Sequence, residues 1–308
     1  MRQPTRHWAT IGERTFASGI LWLLHVYRLL GAWPFKLFMY PVVGFYFITS
    51  ASARRASLTY LQRMQISGSV VKPNLRTSFR HFVHFSDGLL DKLLANTPDF
   101  KAPVAAIYNR ELATQLLDKK QGFLILTSHL GTVEVARTIA KLSNRPLNVL
   151  THTKNSQSFM TILKKLNPNT TFNLIETSQF DPALSIKLSE KVANGEIIAV
   201  AGDRVPVSDD GKHAVPCEFL GQTAYFPTGG YLLAFMFNCP ILLMFCCKNA
   251  LGYTVEYEVL ADKIELPRQN RAAALQGYAQ QYAHRLAQAC HKYPLEWFNF
   301  FDFWRAYK

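Results

Sequence analysis

The run Ser128-His129-Leu130-Gly131-Thr132-Val133-Glu134 carries an imidazole and a carboxylate five residues apart, directly after the apolar stretch 122–127. A neutral imidazole can take a proton from a hydroxyl when a carboxylate holds its other nitrogen, so His129 and Glu134 are candidates for a general base and its orienter. Positions i and i+5 lie on different faces of a continuous helix. The two side chains can meet only if His129 sits in a loop and Glu134 in the first turns of the helix after it. The local pattern allows this: an apolar run closed by a small residue and a glycine reads as a buried strand entering a loop, and 133–142 reads as a helix. A loop histidine followed by a glutamate that merely complements the helix dipole fits the same residues, so the spacing alone leaves both readings open.

The elements that must position such a pair alternate along the chain after Asp99. Strand-like runs fall at 122–127, 147–151, 171–175, 197–201 and 241–247, and helix-like stretches at 133–142, 156–166, 182–192 and 229–237. This alternation predicts an α/β fold, a mostly parallel sheet covered by helices on both faces. Ligands of such sheets gather at the carboxyl ends of the strands. Beside His129, that edge receives Asp203 and Arg204 after the fourth strand, and Phe226-Pro227-Thr228-Gly229-Gly230 before the fifth. Arg204, followed by the stiffening Pro206, could clamp a phosphate, although an Asp203-Arg204 surface turn fits equally. Gly229 and Gly230, like the loop amides near Gly131, could offer N–H groups to an oxyanion or phosphate; a plain helix cap explains the same glycines. Residues 208–212 have turn composition and lead to an edge segment at 214–219.

Composition narrows the function classes. A chain of 308 residues with 49% apolar content is a folded globular protein of one large α/β domain or two smaller ones. The net charge of +13 favours an anionic partner. Its distribution is more informative. No carboxylate occurs between Glu13 and Asp87, an interval that holds Arg14, Arg28, Lys36, Arg54, Arg55, Arg63, Lys72, Arg76 and Arg80. The first half of the interval is apolar and rich in Trp and Tyr, the residues favoured at a lipid headgroup level. A span needs roughly 20 uninterrupted apolar residues, and His25, Arg28, Pro34, Lys36 and Pro41 interrupt this one. Residues 1–50 are therefore expected to form a membrane-associating segment of two helices broken near Pro34 and Pro41, with 51–308 as the catalytic domain. The positive-inside bias puts 54–80 on the cytoplasmic side. The apolar stretch starts late and lacks a small-x-small cleavage site, against a secretory signal. Five cysteines, Cys217, Cys239, Cys246, Cys247 and Cys290, show no metal-ligand spacing and read as reduced core residues; no metal and no cofactor are expected. No nucleic-acid-binding motif is present.

Taken in order, Thr127-Ser-His-Leu-Gly-Thr-Val-Glu134, Ala201-Gly-Asp-Arg-Val-Pro206 and Phe226-Pro-Thr-Gly-Gly-Tyr-Leu-Leu-Ala234 with Cys239-Pro-Ile-Leu242 resemble the bacterial lipid A biosynthesis acyltransferases. That family includes the late lauroyl and myristoyl transferases and belongs to the lysophospholipid acyltransferase superfamily. The ending Tyr293-Pro-Leu-Glu-Trp297-Phe-Asn-Phe-Phe-Asp-Phe-Trp304 is similar to the family's Pro-x-x-Trp-x-x-Phe ending. Thr132 and Val133 stand where the family usually has asparagine and an aromatic, and the Gly-Asp-Arg-x-Pro block resembles a side branch associated with fatty-acid-like or aryl polyene biosynthesis. The resemblance implies direct acyl transfer at the cytoplasmic face of a bacterial inner membrane. The donor would be a thioester of acyl carrier protein or coenzyme A, the acceptor a hydroxyl of a lipid or glycolipid. It assigns His129 and Glu134 to catalysis, with Asp203, Arg204, Gly131, Gly229 and Gly230 in substrate binding. Two rivals stand beside it. A serine hydrolase using Ser128 would lack the Gly-x-Ser-x-Gly elbow, and a non-enzymatic basic membrane or nucleic-acid binder would leave the chemistry at the strand ends without a role.

Overall fold

The computed structural model describes residues 32–97, 100–140, 145–151, 172–177, 181–206 and 211–305. Three helices come first: α1 (Ala32–Thr49), α2 (Ala51–Ile66) and α3 (Leu75–Leu94). The expected break at Pro41 does not occur, and α1 runs through it. Proline removes one N–H and crowds the preceding turn, but the far end of α1 is pinned. Phe47 packs edge-on against Phe79 at 5.4 Å and Phe82 at 5.2 Å on α3. The Arg54 guanidinium donates to the Ile48 carbonyl at 2.6 Å and also to that of Phe47, satisfying carbonyls that every helix end leaves open. Pro34 falls near the start of α1, where few N–H groups have partners to lose. Among the described residues no helix is long and apolar enough to cross a membrane. α3 begins at Asn74, whose side chain accepts from the Thr77 N–H at 2.9 Å.

The α/β part follows as β1 (Val104–Tyr108), α4 (Arg110–Asp118), β2 (Phe123–Thr127), α5 (Val133–Ala140), β3 (Leu147–Thr151) and β4 (Phe172–Glu176). It continues with α6 (Pro182–Ala193), β5 (Ile197–Ala201), β6 (Ala214–Phe219), β7 (Gln222–Pro227), α7 (Gly229–Phe237), β8 (Ile241–Asn249), β9 (Gly252–Ala261) and α8 (Arg271–Lys292). Seven of these strands form one sheet in the order β1-β9-β8-β2-β5-β3-β4. All neighbours are parallel except β8 and β9, an antiparallel hairpin. The fold is thus α/β with a mostly parallel sheet. β2 is buried at all five positions, apolar up to Thr127, and both its faces are covered. Leu124 and Leu126 join a core with α2, α6, α7 and α8, whereas Phe123 and Ile125 join a second core with α4 and α5.

The predicted strands and helices recur with ends within two residues, except the helix expected at 156–166, which lies outside the described residues. The segment 214–219 is a strand but not an edge of the main sheet: β6 pairs with β7 as a separate antiparallel hairpin. Its positions alternate between buried and solvent-facing, and α8 covers its outer edge. There Gln280 accepts from the Glu218 N–H at 2.8 Å and donates to the Glu218 carbonyl at 3.0 Å, occupying edge groups that would otherwise be open to another strand.

Candidate active site

β2 and β5 are parallel neighbours in register, with Thr127 opposite Ala201. His129 lies two residues beyond Thr127 and Asp203 two beyond Ala201, so equal overshoots from adjacent strands bring the side chains together. The His129 Nδ1 donates to Asp203 Oδ1 at 2.7 Å, and the His129 backbone N–H donates to Asp203 Oδ2 at 3.0 Å. Two glycines make the approach possible. A Cβ on Gly202 would lie 2.8 Å from Leu126 Cδ1 and 3.0 Å from the Tyr282 ring. Gly131 has φ +69°, and a Cβ there would fall 1.8 Å from the Cys246 carbonyl oxygen.

The second oxygen of Asp203 is crowded with donors. Besides the His129 amide, Oδ2 accepts from Trp297 Nε1 at 3.1 Å and Asn299 Nδ2 at 2.9 Å. Asp203 is fully buried. Burial alone would raise its pKa; the His129 ring with its hydrogen bonds, then the Arg204 guanidinium, overcome that and hold the carboxyl well below the usual carboxylate range. Because an ionised carboxylate can only accept, the proton of neutral His129 is fixed on Nδ1 and Nε2 is left as the basic nitrogen. About a third of the His129 side chain is exposed. Burial, and then Arg204, push its pKa below the ordinary value against the upward push of Asp203, and Lys92 adds a further downward push. His129 is consequently neutral, and able to act as a base, at and somewhat below neutral pH.

The segment after α8 is laid across this pair. The Phe298 N–H donates to the His129 carbonyl at 2.8 Å, and the Gly131 N–H to the Glu296 carbonyl at 2.8 Å. From the far side, buried His81 donates through Nε2 to the Trp297 carbonyl at 2.9 Å, while its Nδ1 accepts from Ser57 at 3.0 Å. Burial lowers the His81 pKa to about 4, so it stays neutral and keeps this tautomer.

Several residues have occupations other than those the sequence suggested. Glu134 does not hold the His129 Nδ1; Asp203 does. Glu134 instead pairs with Lys92 of α3, Oε1 to Nζ at 2.6 Å. Asp203, expected to bind substrate, has no exposed surface to do so. Gly131 cannot lend its amide to an oxyanion, because Glu296 uses it. Arg204 is drawn to the C-terminal segment, Nε donating to Asn299 Oδ1 at 2.7 Å and Nη2 to the Phe298 carbonyl at 3.0 Å, with the guanidinium over the Phe301 ring at 5.6 Å. Gly230 lies over the carboxyl ends of β2 and β5, where a Cβ would meet Leu126 and Val200, and Gly229 beside it is exposed; neither hydrogen-bonds the His129–Asp203 unit. Ser128 is buried and its Oγ accepts the Leu130 N–H at 3.1 Å, shaping the loop. Sequence reasoning missed Trp297, Asn299 and Lys92. The first two stand in the ending already singled out; Lys92 left no signal. All five cysteines are free and buried, and among the described residues no group of His, Cys, Asp and Glu is arranged to hold a metal ion.

A family model described as bacterial lipid A biosynthesis acyltransferase matches residues 93–306 of the chain. No curated protein matches it.

Proposed function

Because the chain belongs to the bacterial lipid A biosynthesis acyltransferase family, and is an acyltransferase of that kind, we propose that His129 is the general base of an acyl transfer from a thioester to a lipid hydroxyl. The observation that carries this reading is the hydrogen bond from His129 Nδ1 to buried Asp203. It fixes the tautomer that a base needs and leaves Nε2 as the basic nitrogen of a partly exposed side chain. The donor would be an acyl carrier protein or coenzyme A thioester and the acceptor a lipid or glycolipid. The acceptor hydroxyl loses its proton to Nε2 as its oxygen attacks the thioester carbonyl. The tetrahedral intermediate then collapses, the carbon–sulfur bond breaks, and the departing thiolate takes the proton back from His129. No covalent enzyme intermediate is needed. Next to the loop, Phe298 and Phe300 pack on Phe85 at 5.5 and 5.3 Å, giving apolar surface against which an acyl chain could lie.

The work would take place on the cytoplasmic face of the bacterial inner membrane. Leu37, Tyr40, Phe45, Tyr46 and Ile48 of α1 are all at least half exposed. α2 and the first half of α3 carry Arg54, Arg55, Arg63, Arg76 and Arg80 with no acid. An apolar helix beside a wholly basic surface suits an interface rich in anionic lipid, entered without crossing it. The experiment is mass spectrometry of lipid extracts from cells with and without the protein. A species heavier by one acyl group, seen with wild type and absent with His129→Ala, supports the reading; identical lipid profiles would count against it.

A further inference from the structure

The oxyanion that forms on the thioester carbonyl needs positive charge or N–H donors aimed at it, and the four successive amides from His129 to Thr132 are all engaged elsewhere. The amide of His129 is given to Asp203, that of Leu130 to Ser128 Oγ, that of Gly131 to the Glu296 carbonyl and that of Thr132 to the Cys246 carbonyl. Two side-chain cations are held by elements that meet this loop. Arg204 sits on the Asp203 side and donates into the C-terminal segment. Lys92 comes from α3, on the face that meets the loop. One turn earlier on that face, a Cβ on Gly88 would lie 3.5 Å from Thr132 Oγ1 and 3.2 Å from the Phe298 ring. One turn later, the Ala95 carbonyl accepts from Thr138 of α5 at 3.2 Å. The lysine side chain is about a third exposed, and its ammonium lies 2.6 Å from the carboxylate of Glu134 in the first turn of α5.

We propose that Lys92 is the oxyanion-stabilising group of this enzyme, and that Glu134 is a positioning residue whose task is to hold that lysine beside His129. This rests on His129 acting as the base in acyl transfer. The second member of the histidine-x4-glutamate block then works through an ammonium supplied by a helix that precedes the sheet, and the block's spacing has a geometric reason. Five residues beyond His129, Glu134 is in the first turn of α5 and meets α3, where it pairs with Lys92 while Asp203 holds Nδ1. As the acceptor oxygen adds to the carbonyl carbon, the carbonyl π electrons move to oxygen, and the Lys92 charge meets that oxygen. When the intermediate collapses, the electron pair returns and the thiolate departs.

The test uses full-length enzyme in detergent with lauroyl-coenzyme A and a dispersed glycolipid acceptor, following thiol release and the acylated product. Lys92→Met should lower kcat by about 10²-fold or more with little change in KM. Lys92→Gln serves as a second neutral variant should the methionine disturb folding, and Lys92→Arg should recover most of the loss. Glu134→Gln alone should lower kcat by less, and in the Lys92→Met background it should lower it no further. The proposal is overturned if folded Lys92→Met or Lys92→Gln turns over within a few-fold of wild type. It is equally overturned if Glu134→Gln costs as much without the lysine as with it, since the glutamate would then act on His129 or substrate directly. His129→Ala runs in parallel: activity surviving there sinks the base assignment itself, whereas loss there with normal Lys92 variants sinks only the present inference.

Discussion

Replacing Asp203 with asparagine changes one oxygen to an amide nitrogen inside a fully buried site, and its outcome follows from the donor count. Oδ2 receives three donors, the His129 amide, Trp297 Nε1 and Asn299 Nδ2, whereas Oδ1 receives only His129 Nδ1. Asparagine has one oxygen, and the side with three donors claims it. The NH2 group then faces Nδ1, which can pair with it only by giving up its own proton and moving to the other tautomer. Nε2 becomes protonated and the base is lost. Where an orienting aspartate has been replaced this way in another enzyme the cost was about 10⁴ in kcat, and we expect at least about 10³ here. Stability should fall modestly, by about 1–3 kcal/mol, because one charge-assisted hydrogen bond weakens while the three-donor cluster is kept. The assay is thiol release from a thioester by purified variant, with a thermal melt on the same sample. Turnover within tenfold of wild type in a folded Asp203→Asn protein would refute the tautomer argument.

The acid limb of kcat/KM should fall below pH 6.5, the ordinary histidine value, since burial and Arg204 lower the His129 pKa; a limb above that value contradicts the assignment. Stability should drop as pH falls from 6.5 toward 4, because His81 titrates near 4 in the folded protein and the unfolded chain binds its proton first. A pH series of thermal melts, with His81→Asn as the control that flattens this slope, checks it. Gly131→Ala places a Cβ 1.8 Å from the Cys246 carbonyl at φ +69°, so it should cost more than about 2 kcal/mol in denaturant unfolding. Arg204→Lys keeps the charge but loses the planar donors to Asn299 and Phe298. It should lower thermal stability and kcat together while leaving both substrates' KM values near wild type, and a selective rise in one KM would instead restore a phosphate-binding role.

Much of this arrangement could be read from the residues. Apolar runs bounded by turn residues gave five strands of the sheet close to their observed ends, because buried parallel strands carry a continuous apolar signal. Placing His129 and Asp203 at one edge needed only the rule for parallel sheets. Their direct contact needed one further fact, that β2 and β5 are neighbours although β3 and β4 lie between them in sequence, and strand order leaves no mark on local pattern. β1 and β9 were missed for other reasons: β1 is a short apolar run left partly exposed at the sheet edge, and β9 interleaves Thr254, Glu256 and Glu258 with apolar residues, so it carries no continuous apolar signal. The choice of Glu134 over Asp203 as the orienter followed sequence proximity. Five residues along the chain proved to lead away from Nδ1, and 74 residues led to it. Trp297 and Asn299 reach Asp203 across 94 and 96 residues, and no short-range signal could have joined them.

The most direct test of the central claim is a single-turnover measurement with His129→Ala beside wild type, full-length and in detergent, with thioester and lipid acceptor both present. The account predicts that wild type releases one thiol for each acylated lipid formed. The variant, folded by the same melt and still retained by anionic vesicles, should form product at least about 10²-fold more slowly. Product formation by His129→Ala at a rate close to wild type would contradict it.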